Sequence, residues 1–157
     1  MDARLNVYDS PATAKFLKHI VSANQVLSAS SLPATTRALV KLRASQINGC
    51  SFCTDMHAKD AVAAGESWVR LNLVAAWREA KVFTEAERAA LDLTEQGTRI
   101  ADAATGVTDE AWTEATKHYD EDQLMALVAA IALINTFNRL SVIVQLPAGD
   151  YQPGQFS

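Results

Sequence analysis

Cysteine is almost missing from this sequence: two in 157 residues, both within one stretch of four. A scaffold held by several disulfides is therefore excluded, and stability must come from packing. Glycine and proline are also sparse, at six and four, which argues against a turn-rich all-β sandwich and for helices. There is no surplus of basic charge. Fourteen Lys and Arg against 18 Asp and Glu leave a net charge of −4, which removes the electrostatic footprint of a nucleic-acid binder. The opening run Met1-Asp2-Ala3-Arg4-Leu5-Asn6 has no apolar core before a cleavage site, so no secretory leader is expected. No low-complexity run or interdomain linker interrupts the chain.

What the sequence does have is apolar mass. Forty-nine percent of residues are hydrophobic and 20% charged, enough for a packed core and unlike a disordered chain. Its most apolar segment, Leu124 to Leu146, is long enough to cross a bilayer. Asn135, Thr136, Asn138, Arg139 and Ser141 break that segment, at a high cost in hydrocarbon. We expect a buried helix and no membrane partner. Without an export signal the expected compartment is reducing and cytoplasmic, where cysteines stay thiols unless they do redox or metal chemistry.

Apolar residues recur at spacings of three and four nearly throughout, which predicts an all-α fold of about seven helices. Ser10-Pro11 reads as a cap and first helical residue, starting a helix over about 11–29 with Phe16, Leu17, Ile20, Val21, Asn24 and Leu27 on one stripe. Pro33 opens a second, carrying Leu39, Val40, Ala44 and Ile47 and ending at Asn48-Gly49, a left-handed stop. A third starts at or just after Cys50 and runs to Ala64. Ser67 caps a fourth containing Trp68, Leu71, Leu73, Val74 and Trp77, apolar on most sides and so expected to be buried or in a subunit contact. Thr84-Glu85-Ala86-Glu87 matches a capping box, predicting a fifth helix to Asp102. A sixth spans Asp109 to His118 behind Thr108. The seventh runs from about Asp122 to Val144, and residues 146–157 form an irregular tail. One domain over 1–157 is expected.

The two cysteines form the motif Cys50-Ser51-Phe52-Cys53, and His57 follows. On a helix these positions share one stripe, with the sulfurs near a helix start, where unsatisfied N–H groups favour a thiolate. Cys53 is one turn from His57, and Cys50 is two turns away, about 10 Å along the axis. We therefore expect Cys53 as the attacking thiolate, His57 as its base or charge partner, and Cys50 as the resolving thiol. Two alternatives compete: buried cysteines acting as small hydrophobes, and a metal site. Zinc needs four ligands, and only Cys50, Cys53 and His57 are local; His19 or His118 could complete the set, though no spacing demands it. The expectation is no metal and no bound cofactor. A thioredoxin-like reading of CxxC needs a βαβ setting, whereas helices flank this motif on both sides.

The run Leu39-Val40-Lys41-Leu42-Arg43-Ala44-Ser45-Gln46-Ile47-Asn48-Gly49-Cys50-Ser51-Phe52-Cys53-Thr54-Asp55-Met56-His57 closely resembles the core motif of alkylhydroperoxidase AhpD-like proteins of the carboxymuconolactone decarboxylase superfamily. Trp77-Arg78-Glu79-Ala80, the run Phe83 to Leu91, and Asn135-Thr136-Phe137-Asn138-Arg139-Leu140 are similar to later family segments, with Phe137 where Trp is common. The resemblance spans about 34–143. It implies an AhpD-like helical bundle assembling as trimers or hexamers. It also implies a peroxidase that reduces organic hydroperoxides or hydrogen peroxide through the dithiol, with Cys53 peroxidatic, Cys50 resolving and His57 in a proton relay. An external thiol or lipoyl-type reductant would reopen the disulfide. The family often has a Glu twelve residues before its first cysteine, and this chain has Ala38 there. Asp60 could orient the imidazole in its place, although a solvated, unpaired Asp60 is the simpler expectation, and Gln46 could hydrogen-bond without ionising. The competing functions are a redox-sensing oligomer and a lactone decarboxylase, a reaction that needs no dithiol. Trp68 and Trp77 are expected in the core or an interface. Asn135, Asn138 and Arg139 are expected to bond neighbouring backbone or an acid such as Glu79, with Arg139 near a subunit contact, and the wide apolar run Leu124 to Ile134 is expected to be partly covered by another subunit.

Overall fold

The computed structural model describes residues 2–7 and 9–156. Seven α-helices follow one another: α1 (Pro11–Ser28), α2 (Ala34–Ile47), α3 (Ser51–Ala63), α4 (Trp68–Leu73), α5 (Glu85–Thr98), α6 (Asp109–Thr116) and α7 (Glu121–Val144). A 3₁₀ turn, Val74–Ala76, continues α4, and no strand occurs among the described residues.

Local chemistry accounts for most of the starts. Thr84 and Glu87 form the expected capping box, satisfying two orphan donors reciprocally. Asp120 and Gln123 make a second one, which starts α7 at Glu121, a residue before the sequence expectation. Ser67 and Thr108 cap α4 and α6. Ser10 occupies the cap position of α1, but its side chain makes no capping bond.

Helix α6 stops at Thr116, two residues short of the expected His118, and two other ends differ more. Helix α5 stops at Thr98, not Asp102, because the following loop folds back and the Thr108 N–H donates to the Gln96 side chain at 2.8 Å. Helix α4 yields to the 3₁₀ turn after Leu73, and the tighter winding brings Trp77 into the core while Trp68 (53% exposed) and Val69 (62%) face outward. The all-round apolar pattern of α4 is thus only half used within this chain. Likewise Leu17 is buried on α1, whereas Phe16 and Val21 are exposed.

Helix α2 is central and packs against α5, α3 and α7. Val40 joins a core of Leu32, Leu93, Leu127 and Ile131. Leu39 and Leu42 join a second, with Leu71, Val74, Trp77, Phe83 and Leu91. Each such fully buried side chain contributes about 1.5–3 kcal/mol, and α2 supplies residues to both cores.

Its outer edge is pinned electrostatically. Glu95 on α5 accepts from Arg43 Nε at 2.7 Å, from Trp77 Nε1 at 2.9 Å and from Arg78 Nη2 at 3.1 Å, with Arg99 at 3.4 Å. Burial opposes ionisation of Glu95, but hydrogen bonds from Trp77 and Arg43, then the charge of Arg43, outweigh it and hold the carboxyl below its usual value.

Helix α7 is long and apolar enough to cross a bilayer by length and composition, and a third of its most apolar window is buried in this chain. Met125, Val128, Val142 and Ile143 remain exposed.

Candidate active site

Helix α2 ends at Ile47 with Asn48 as its C-cap, and Gly49 follows at φ +65°, a left-handed conformation that glycine adopts without a Cβ penalty. The reversal lets the Cys50 N–H donate to the Ser45 carbonyl at 3.0 Å. Cys50 caps α3: its sulfur accepts from the Cys53 N–H at 3.2 Å. Cys50 and Cys53 form a disulfide, with Cα atoms 5.4 Å apart. Both are about 1% exposed.

A buried amide ladder locks this turn to α7. Asn48 donates through Nδ2 to the Oδ1 atoms of Asn135 and Asn138, each at 2.9 Å. Asn138 donates to Ser45 Oγ at 3.0 Å, which in turn donates to the Lys41 carbonyl at 2.7 Å. Asn135 donates to Thr98 Oγ1 at 3.1 Å and to the Ile131 carbonyl at 2.9 Å. Polar residues inside an apolar helix cannot be left unpaired cheaply, and here they position the cysteine turn. Arg139 bonds the Asn135 side chain and carbonyl, each at 3.2 Å. The acidic partner suggested from sequence, Glu79, plays no part in this ladder and is exposed.

His57 sits one turn beyond Cys53 on α3. Its Nε2 is closed off from solvent, with no hydrogen-bond partner among the described residues. Desolvation, and secondly the charge of Lys41, push its pKa down to about 3, so the ring is neutral at physiological pH. Lys41 projects from α2 and donates to Asn24 of α1 at 2.8 Å. Burial, then Arg37, lower its own pKa, opposed by Asp60. Ala38, one turn before Lys41, packs against the second core.

Asp60 is neither an imidazole anchor nor solvated and unpaired. It accepts from Tyr151 Oη at 2.8 Å and from the Gly154 N–H at 3.1 Å. The C-terminal tail is thereby strapped along α3. Lys59 donates to the Gly149 carbonyl at 2.9 Å and the Tyr151 carbonyl at 3.0 Å, and Asp55 accepts from the Gly149 N–H at 3.1 Å. Phe52, between the cysteines, packs edge-on against Tyr151 at 6.4 Å and near Phe156 at 6.3 Å. Burial and Asp60 push the Tyr151 phenol up to about 12.

Beside the disulfide lies a depression of about 450 Å³, lined by Gly49, Cys50, Ser51, Ser141, Val142 and residues 145–148. Cys50 borders it; Cys53 and His57 do not. Ser141 Oγ lies 3.7 Å from the Cys53 sulfur. Sequence reading noted Ser141 only as a break in an apolar helix, and its partner is 88 positions away. Among the described residues no group of three His, Cys, Asp or Glu side chains could hold a metal ion; His118 pairs with Glu114 at 3.3 Å on α6, and His19 is exposed on α1.

Fold and site define an all-α protein carrying a CxxC pair at the head of a helix sealed between neighbours. The profile of the carboxymuconolactone decarboxylase family matches residues 14–96, and the chain belongs to that family, as an AhpD-like member of its superfamily. It is 38% identical over 142 residues to the uncharacterised protein YdfG of Bacillus subtilis, covering 90% of this chain and 94% of that one. A solved structure from Agrobacterium tumefaciens, of unknown function and provisionally named as the antioxidant defence protein AhpD, superposes with TM-score 0.88 at 35% identity, covering 96% of this chain and all of the other. The debrominase Bmp8 has the same fold at TM-score 0.75 and 16% identity, over 88% of this chain and 74% of its own. The fold therefore does not by itself specify a reaction.

Proposed function

We propose that the protein is a cytoplasmic thiol peroxidase that reduces organic hydroperoxides or hydrogen peroxide with the Cys50/Cys53 dithiol, using no bound cofactor. The observation that carries this reading is the sulfur pair at the first turn of α3, on backbone N–H groups that favour a thiolate. Cys53 thiolate attacks the peroxide oxygen, the O–O bond breaks, and the alkoxide leaves to become an alcohol. Cys50 then attacks the resulting sulfenic sulfur and water departs, so two thiols are oxidised as one peroxide is reduced. An external thiol or lipoyl-type dithiol returns the disulfide to dithiol.

His57 suits a hydrogen-bonding role here better than a charged one. Desolvation, then the charge of Lys41, push its pKa down to about 3 in the oxidised protein, so the ring is neutral beside the disulfide. Self-association into a trimer or hexamer is part of this proposal. It is supported by the exposed apolar residues of α7 and an apolar hollow of about 440 Å³ lined by Ile100, Val107, Val128 and Ile131 among others.

A second reading, a redox-sensing oligomer, is favoured by one feature: Phe52 of the CxxC turn is packed against the strapped tail, so opening the disulfide would be felt there. Hydroperoxide consumption by wild type, Cys50→Ser and Cys53→Ser with a panel of thiol and dithiol reductants separates these. Sustained turnover lost in Cys53→Ser supports the peroxidase. A Cys53→Ser protein that still consumes the first equivalent overturns the residue roles, and disulfide formation without turnover supports the sensor.

A further inference from the structure

The two sulfurs are not equivalent toward the depression beside them. Cys50 forms part of its wall, with Gly49, Ser51 and the segment 145–148 opposite. Cys53 is absent from the wall and lies toward the Ser141 hydroxyl of α7. Both residues are about 1% exposed, and of the two only Cys50 borders the depression in the oxidised protein. Thiolate attack on a disulfide depends on which sulfur can be reached and on how well the other is stabilised as it leaves.

We propose that the depression is the entry site for the reducing thiol, and that reduction begins by attack on Cys50 with Cys53 as the leaving thiolate. The inference rests on the disulfide cycle proposed above and adds the direction in which it is reset. The incoming thiolate forms a bond to the Cys50 sulfur as the Cys50–Cys53 bond breaks, and the electron pair of that bond goes to Cys53. A second thiol from the reductant then attacks the mixed disulfide. The reductant is released as its own disulfide, and Cys50 is freed as thiolate. Two electrons pass from two reductant thiols to the protein.

Three features fit that direction. Cys53, as leaving group, has the Ser141 hydroxyl at 3.7 Å, a donor for developing negative charge, and hydrogen bonds to charged groups are the stronger kind. It is also the sulfur assigned to attack peroxide, so the first step of reduction releases the thiolate that the next turnover uses. Finally, no charged side chain lines the depression: its wall is glycine, serine, glutamine and small or apolar residues. That chemistry accepts a small uncharged thiol arm and gives no ion-pair partner to a carboxylate-bearing one.

The oxidised full-length protein is exposed briefly to 2-mercaptoethanol, quenched in acid, alkylated with N-ethylmaleimide and digested. Fragment ions across Ser51 and Phe52 place each label. The expected result is the mercaptoethanol adduct on Cys50 and the maleimide on Cys53; the reverse assignment, or an even mixture, overturns the proposal. In a second arm, Ala148→Trp narrows the depression and is expected to slow reduction by 2-mercaptoethanol roughly tenfold, through access alone, with an unchanged unfolding temperature. An unchanged reduction rate in a folded variant overturns it equally. Neither arm uses peroxide, so the protein can pass both and still fail as a peroxidase, or turn over peroxide while carrying the adduct on Cys53.

Discussion

Replacing Glu95 by Gln keeps the shape of a side chain on which two arginines, a tryptophan and a third cation converge, while removing its charge. The contributions separate by exposure. Arg78 and Arg99 are 56% and 45% exposed at the side chain; freed, they return to water, and each such pair is worth about 0–1 kcal/mol. Arg43 is 12% exposed and Trp77 3%, and neither can be rehydrated without opening the α2–α5 contact. Breaking a buried pair from one side costs about 3–5 kcal/mol; because Gln keeps one acceptor oxygen, about 2–4 kcal/mol is expected. At about 2–4 °C per kcal/mol for a chain of this size, the thermal midpoint should fall by about 5–15 °C.

The pH dependence has a defined sign. The carboxyl of Glu95 is held below its usual value in the folded protein. Its stabilisation is therefore complete above the unfolded value of about 4.3 and is lost as pH falls through the lower folded value. The gap between wild type and Glu95→Gln should be full at pH 7.5 and shrink in acid. Circular-dichroism melts across that range, with Glu79→Gln as an exposed control expected within about 0.5 kcal/mol of wild type, provide the measurement. A drop no larger than the control's, or a gap that widens in acid, would refute the reasoning.

Asn138→Leu strips Ser45 and Asn48 of buried partners and should cost about 3 kcal/mol in urea unfolding; a loss below about 1 kcal/mol would show that the ladder does not hold the cysteine turn. His57, with its pKa pushed down to about 3, should show ring NMR shifts in the oxidised protein that stay constant from pH 8 to about 5. Because the unfolded ring binds a proton below about 6.5 and the folded one does not, stability should fall on acidification in wild type and less so in His57→Gln; a ring that titrates near 6.5 contradicts the burial argument. Ala38→Glu puts a carboxylate one turn from Lys41 and should raise peroxide consumption by about tenfold or more if a missing proton acceptor limits the rate. No gain would mean that protons leave by another route.

Much was legible before any coordinates because the signals were local. The Asn48-Gly49 stop, the Thr84–Glu87 capping box and the Ser67 and Thr108 caps each act within four residues, so their chemistry can be read in one window. The CxxC placement at a helix start was readable for the same reason. Where reading failed, the deciding contact was distant. Asp60 looked like a solvated helix residue or an anchor for His57, and it is instead the acceptor for a tyrosine and a backbone N–H about ninety positions later. Trp68 and Trp77 look alike in sequence, but a 3₁₀ turn between them sends one outward and the other to Glu95.

The sequence alone determined an all-α chain, the turn that reverses α2 into α3, and the spacing that sets Cys50, Cys53 and His57 along one helix, because each follows from periodicity and from hydrogen bonds made within a turn. Tertiary structure decided which groups surround them. It is α7 that sets Ser141 beside Cys53, α2 that sets Lys41 toward His57, and the tail that walls the depression on which Cys50 opens. Dielectric, access and partner charge are properties of what packs against a residue, and a residue's neighbours in a helical bundle come from elsewhere in the chain.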